Sequence, residues 1–427
     1  MPRFSISHLL ADTRPLRNPH YRRLWTANII TVIGAQLTVV AVPAQIYADT
    51  GSSGYVGLTG VFGLVPLIVF GLYGGALADV FDRRTLLLIT TTGLIVTSGL
   101  FWVQAAAGST NVWLLLCLFA LQQAFFGVNQ PTRSAIIPKL VEPELLPAAN
   151  SLSMTVTMAG AIAGPLVAGI LIPITGYTWL YALDTISLFA TLGAVLRLPP
   201  LPVLDAVTAT PGIRAVIDGF VYLRTQPVLL MSFVVDLIAM VFGMPRALFP
   251  EIAHLSFDGP DEGGLVFALL FAAIPAGSVI GGVFSGWVSR IERQGRAVVV
   301  CIAIWGMAMA GFGVAVALAD HWATPMLVVA LAMLVIGGAA DMASAAFRTS
   351  MLQAAADDAM RGRLQGVFIV VVAGGPRIAD TLHGATAAAV GTAAAAAGGG
   401  VLVVVGVVVA SLAVPSFVRY RITRPAS

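Results

Sequence analysis

Residues 53–84 read Ser53-Gly-Tyr-Val-Gly-Leu-Thr-Gly-Val-Phe-Gly-Leu-Val-Pro-Leu-Ile-Val-Phe-Gly-Leu-Tyr-Gly74-Gly75-Ala-Leu-Ala-Asp79-Val-Phe-Asp82-Arg83-Arg84. No charged residue interrupts Ser53 to Ala78, and a helix needs only about 20 mainly apolar residues to cross a bilayer. Two carboxylates and an arginine pair end the run within one turn or two. An apolar stretch closed by cations reads as a membrane span that finishes on the side where positive charge is retained.

The same reading extends outward along the chain. Uninterrupted apolar stretches predict spans over 24–48, 54–78, 85–107, 112–130, 148–172 and 177–197. After a polar stretch, further spans follow over 227–250, 263–288, 297–318, 323–346, 364–388 and 396–417. The 427 residues are 58% hydrophobic and only 10% charged, with a mean hydropathy of +0.93. A soluble chain of this size needs far more polar surface. With twelve spans, every Lys and Arg except Arg246 and Arg377 falls on one side, which places both termini in the cytoplasm. The formal charge of +3 belongs to those inner loops and does not indicate nucleic-acid binding. The predicted organisation is therefore a cytoplasmic tail (1–23), a six-helix bundle (24–197), a linker (198–226), a second six-helix bundle (227–418) and a tail (419–427). The first 23 residues lack the apolar core of a secretory signal, so the first span is expected to serve for insertion. Within the linker, Ile213 to Leu223 mixes apolar residues with Arg214 and Asp218, the pattern of an amphipathic helix lying on the inner membrane face. Cys117 and Cys301 both fall in spans and read as small buried apolar side chains, with no disulfide and no metal site.

The halves echo one another. Gly74-Gly75 through Arg84 closes span two, and Gly281-Gly282 through Arg290 closes span eight. Arg133-Ser-Ala-Ile-Ile-Pro follows span four, and Arg348-Thr-Ser-Met-Leu-Gln follows span ten. Such internal repetition is the mark of transporters that rock about a site near the membrane midplane. The 74–84 segment resembles the loop-2/3 signature of the major facilitator superfamily, although Gly286 stands where the second copy would carry the Asp. Gly160-Ala-Ile-Ala-Gly164-Pro165-Leu-Val-Ala-Gly169 in span five resembles the superfamily's antiporter motif, which is associated with exporters. Four further segments resemble the bacterial enterobactin-exporter branch: Val42-Pro43-Ala44-Gln45-Ile46, Pro245-Arg246-Ala-Leu-Phe-Pro250, Ala272-Ala273-Ile274-Pro275-Ala276-Gly277, and Met351-Leu352-Gln353 with Gly362-Arg363. The resemblance implies an all-α membrane protein of twelve helices in two pseudo-symmetric halves, residing as a monomer in the bacterial inner membrane. It implies export of a siderophore or a similar small molecule, driven by the proton gradient without a bound cofactor. Macrolide and other drug exporters share much of the same pattern, so multidrug efflux is the alternative.

Several polar residues stand out against this apolar background. Asp79, Arg83, Arg84 and Arg133 form a candidate cytoplasmic gate, with Asp79 positioned to accept hydrogen bonds from a neighbouring helix N-terminus; the plainer reading of the arginines is orientation alone. Gly160, Gly164, Pro165 and Gly169 also suit close helix packing in a protein with no antiport. Charges inside spans are expensive and usually functional. Asp236, Arg246, Arg377, Asp380 and His383 are therefore candidates for the proton and substrate site. Asp236 reads either as a proton acceptor or as the fixed partner of a cavity arginine. Arg377 and Asp380 share a helix face and can pair, His383 follows one turn on, and Arg246 can draw an anionic cargo outward or pair with Glu251. Asp184 in span six is expected to be tied to a hydroxyl, and Asp341 to Arg348. Gln36, Gln45, Gln122, Gln123, Asn129 and Gln130 suit either a cavity for a large polar ligand or links between helices.

The pattern excludes other classes. No GxxxxGK[ST] loop is present, so ATP is not the expected energy source. The 5 histidines are scattered over both faces and the interior, unlike the compact His and Asp or Glu cluster of a membrane-embedded transferase. The partners expected are a small-molecule substrate, either an anionic siderophore or a drug, and the lipid bilayer, with no nucleic acid.

Overall fold

The computed structural model describes residues 12–201, 212–261, 263–355 and 358–421. Among them no strand occurs and the chain is helical almost throughout. A bilayer interior leaves a backbone no other open choice, because each peptide group must be satisfied within its own segment. The long helices are α1 (Pro19–Thr50), α2 (Ser53–Val80), α3 (Arg83–Ala106), α4 (Val112–Leu140), α5 (Leu146–Leu196), α6 (Gly212–Thr225), α7 (Pro227–Gly243), α8 (Leu265–Val283), α9 (Gln294–Ala317), α10 (Ala323–Ala355), α11 (Asp358–Val390) and α12 (Thr392–Ala413). Ten segments among the described residues are long and apolar enough to cross a membrane.

Local chemistry sets the ends. Asn18 caps α1 by accepting from the His20 and Tyr21 N–H groups, with Pro19 at the first helical position, and Gly51 closes the helix in the left-handed region (φ 64°). Ser52 caps α2, Asp82 caps α3 and Asn111 caps α4 in the same way. The 51 residues of α5 would extend about 76 Å as one rod, more than twice the hydrocarbon thickness. The chain instead breaks at Gly176 (φ 69°, ψ 177°). Gly160, before the break, lies against Val32 of α1, and Thr191, after it, donates to the Thr31 hydroxyl at 3.1 Å. Both arms of α5 therefore flank the same level of α1, and the chain doubles back at Gly176 as the predicted pair of spans requires.

Three expectations need correction. The span predicted over 227–250 stops as an α-helix at Gly243; Pro245, lacking an N–H, is followed by a 3-10 turn (Arg246–Leu248) and a π-turn (Ile252–Ser256). Helices α4 and α10 run on well past their apolar stretches, so Arg133 and Arg348 lie within helices and not in loops. Cys117 is exposed on α4, while Cys301 is buried as expected.

The most extensive packing joins α1 with α5, α2 with α4, and α3 with α4 and α5; α9 with α10 and α12; and α8 with α10. Two contacts tie these groups together, α2 with α11 and α5 with α8. The helix ends bearing Arg83, Arg84, Lys139 and Arg197 gather at one end, where the Asn18 amide donates to the Leu140 carbonyl at 2.7 Å and Arg84 donates to the Leu196 carbonyl at 2.8 Å. This end is the arginine-rich face. The α6 helix packs on α11 and α2 and buries Leu223 while exposing Ile217 and Val221; the Arg214 side chain lies outside the described residues.

Candidate translocation pathway

On the face opposite the arginines, α2 and α11 meet backbone to backbone. Gly57 lies against the Asp380 carbonyl and Gly384, Gly60 against the Arg377 carbonyl and Thr381, and Gly384 against the Ser53 carbonyl. None of these positions has room for a Cβ. The Thr381 hydroxyl donates to the Gly57 carbonyl at 3.1 Å. A second seam forms where Gly169 of α5 abuts Ala268 and the Gly264 carbonyl at the start of α8. Gly160 and Gly164 pack against Val32 and Gln36 of α1, so the glycines of the antiporter-like segment serve two contacts, one within the first group of helices and one across to α8.

Beneath these seams lies a cavity of about 50 Å³ whose lining includes Pro43, Thr59, Phe119, Arg246, Arg377 and Asp380. Asp380 Oδ2 stands 3.6 Å from Arg246 Nη2 and 3.9 Å from Arg377 Nη1. Arg377 also lies over the Phe119 ring, 5.1 Å from its centroid. Two guanidinium groups thus share one carboxylate, leaving positive charge in excess at a site enclosed by helices. Arg246 does not pair with Glu251, because the broken end of α7 turns its side chain inward; Glu251 accepts instead from the Ser53 N–H at 3.1 Å. His383 forms a 3.0 Å contact between Nε2 and the Phe242 carbonyl, which is hydrogen-bonded packing and requires the proton on that nitrogen.

Asp236 pairs with Arg348 at 2.5 Å between α7 and α10, both side chains buried. Arg348 is the partner expected for Asp341; it acts on Asp341 through its charge, while its ion-pair contact is with Asp236. Asp184 is bound by hydroxyls as predicted, accepting from Thr38 at 2.6 Å and Ser98 at 2.9 Å.

The arginine-rich face is open by contrast. A cleft of about 440 Å³ enters there between α1, α3, α4 and α5, lined by Asn28, Thr31, Gln36, Asn129, Gln130, Arg133, Asn150, Ser153 and Thr157 among others. Amides and hydroxyls line it together with Val32, Leu94, Phe126, Ile137, Met154 and Leu188, and most of its exposed surface is apolar. Arg133 donates to the Leu24 carbonyl at 3.3 Å and Arg84 to that of Leu196 at 2.8 Å. The Asp79 side chain lies outside the described residues. Of the amides singled out in the sequence, Gln36, Asn129 and Gln130 face the cleft. Gln45 is instead locked to Gln104 at 3.1 Å and to the Tyr181 hydroxyl at 2.9 Å. Gln104 escaped the sequence reading, although a glutamine in the apolar 85–107 stretch was the available signal.

Comparison with known proteins gives this architecture a family. A family model described as transmembrane secretion effector matches residues 11–421. The chain belongs to the transmembrane secretion effector family. Relatives of this secretion effector include the enterobactin exporter EntS of Shigella boydii serotype 18, 27% identical over 87% of this chain and 86% of that protein. EntS of Escherichia coli O1:K1 is 26% identical over the same shares. Among solved structures, the nucleoside transporter NupG superposes with a TM-score of 0.73 at 13% identity, covering 94% of this chain and 100% of NupG; at that identity the likeness concerns the fold alone. The resemblance to the major facilitator superfamily and its enterobactin-exporter branch therefore holds, and the chain is a membrane transporter by family.

Proposed function

We propose that this protein is a proton-coupled secondary exporter that carries a siderophore-like anionic molecule out of a bacterial cell. In this reading twelve spans form two six-helix halves, 24–197 and 227–418, in the inner membrane, with both termini cytoplasmic and the monomer as the working unit. One observation supports it most: a cleft in the first group of helices reaches the arginine-rich end, where Arg133 lines it, while glycine seams close the opposite end over the Arg246–Asp380–Arg377 site. In this reading that arrangement is the inward-open state of an alternating-access cycle. Cargo enters the cleft from the cytoplasm, and parting of the α2–α11 and α5–α8 seams exposes the two arginines to the outside. The excess positive charge there attracts an anion towards the exit. Asp236, Asp380 and His383 are the proton-coupling candidates, and Asp79, Arg83, Arg84 and Arg133 the residues that would close the inner face. The four segments that resemble the enterobactin-exporter branch, and the EntS likeness, support a siderophore as cargo.

The uncharged amides and hydroxyls of the cleft, with Phe126 and Met154, favour amphipathic drugs as the second reading. Mass spectrometry of cells and medium under iron limitation, with and without the gene, separates the two. An iron chelator retained inside the deletion strain and depleted outside supports siderophore export. Unchanged chelators with increased drug sensitivity move the cargo to the second class.

A further inference from the structure

Asp184 lies in the second arm of α5, 1% exposed. Its Oδ2 accepts from Thr38 of α1 and Ser98 of α3, while Oδ1 is buried without a hydrogen-bond partner. The groups facing the carboxyl are uncharged on every side: Gly34 and Thr38 from α1, Ser98 from α3, and Thr185 and Ser187 from its own helix. The nearest titratable side chain along the helix is the Tyr181 phenol, whose hydroxyl donates to Gln45. Among the described residues Asp184 takes part in no ion pair, unlike Asp236 with Arg348 and Asp380 with its two arginines. An ionised carboxylate in such surroundings would exchange its hydration for two hydroxyls and no counter-charge, so the neutral acid is the form this environment holds.

The acid also lies between a cleft and a chain of polar side chains. The cleft from the arginine-rich face is floored by Ala35, Leu94 and Leu188, which stand beside Gly34 and one helical turn from Ser98 and Asp184. On the far side, Thr185 donates to the Ser98 hydroxyl at 3.1 Å, and Tyr181, Gln45 and Gln104 continue the hydrogen-bonding groups towards the opposite face. We propose that Asp184 is a proton-binding site of the transport cycle, discharging into the arginine-rich-face cleft and reloading by way of the Tyr181–Gln45 side. The O–H bond at Oδ1 breaks, the proton passes to water in the cleft, and the electron pair stays on a carboxylate still held by Thr38 and Ser98. This inference rests on the proton-coupled reading above and adds a carrier in the first half of the chain to the candidates in the second.

Infrared spectroscopy of the purified full-length protein in lipid tests the site without any cargo. The expected result is a protonated-carboxyl carbonyl band that shifts on ¹³C-aspartate labelling and in deuterium oxide, fades as the pH rises between about 5 and 9, and is missing from Asp184→Asn. Asparagine retains an acceptor for Thr38 and Ser98; should that variant fail to fold, Asp184→Glu displaces the same band. No such band, or one indifferent to pH and deuterium oxide, overturns the proposal. In inverted vesicles with enterobactin as probe, Asp184→Asn should lose pH-gradient-driven uptake and keep counterflow; gradient-driven uptake equal to wild type also overturns it. If wild type moves no enterobactin, the cargo reading fails, and the infrared result still decides whether Asp184 binds an exchangeable proton.

Discussion

At the scale of single residues, the structure pairs groups that lie far apart in the chain. Asp236 and Arg348 are both buried and bound to each other. Removing one partner strands the other charge, which costs about 3–5 kcal/mol, whereas replacing both by apolar groups of similar volume is close to neutral. Asp236→Leu should therefore melt well below wild type in detergent, and Asp236→Leu with Arg348→Met should recover most of the loss. Equal melting of the single variant and wild type would contradict the pair. The sequence made the charged residues conspicuous but left their partners ambiguous. A carboxylate in an apolar run announces itself, while its partner depends on which helices become neighbours. Arg246 was within reach of Glu251 by spacing, yet the break after Gly243 hands it to Asp380. The hydroxyls around Asp184 were foreseeable in kind, because a lone buried acid needs donors, but Thr38 and Ser98 were not singled out by any pattern.

At the scale of helices, spans were readable because an apolar run of sufficient length in lipid has only one backbone solution. Their limits were less so, since helices continue past the apolar stretch wherever packing and caps support them, as α4 does through Pro131 and Pro138. The cap of α3 gives a test. Asp82 accepts from the Thr85 N–H and hydroxyl and from the Leu201 N–H. Burial opposes its ionisation, but these donors and the Arg84 charge outweigh burial and hold the carboxyl below its ordinary 3.8. A lowered folded value means that the stabilisation is complete above about pH 4 and disappears as the pH falls through the folded value. Protection of the first-turn amides of α3, relative to their intrinsic exchange, should fall through that range in wild type and show no such step in Asp82→Asn; Asp82→Ala should cost about 1 kcal/mol at neutral pH. The α2–α11 seam gives another. Gly60→Val places atoms where the Arg377 carbonyl lies, so the seam should stand open. In a background lacking Cys117, labelling of Thr59→Cys by an impermeant maleimide from outside should rise several-fold, and unchanged labelling would show that the seam tolerates the side chain.

At the scale of the whole molecule, the proposed cycle depends on whether the two seams part. Cysteines introduced by Gly54→Cys and Ala388→Cys, whose Cβ atoms would lie 3.5 Å apart, with Cys117 and Cys301 replaced by serine, should cross-link α2 to α11 under oxidation. Transport should cease and return on reduction; undiminished flux in the cross-linked protein would exclude rocking at this seam. Length and apolarity made the all-helical membrane plan readable, while the repeat and the cation asymmetry carry the two-half layout and the orientation of the proposed reading. Which end stands open was not written there, since two packings of one sequence differ by little. The glycine contacts also bear on how the transporter wears and varies. A closure built of main chain carries no side-chain identity to match, so it keeps its shape while the residues around it drift. In the proposed cycle its opening gives up the Thr381–Gly57 hydrogen bond and otherwise only close backbone contact, so the exit would act as a joint that slides and reseats with little to repack.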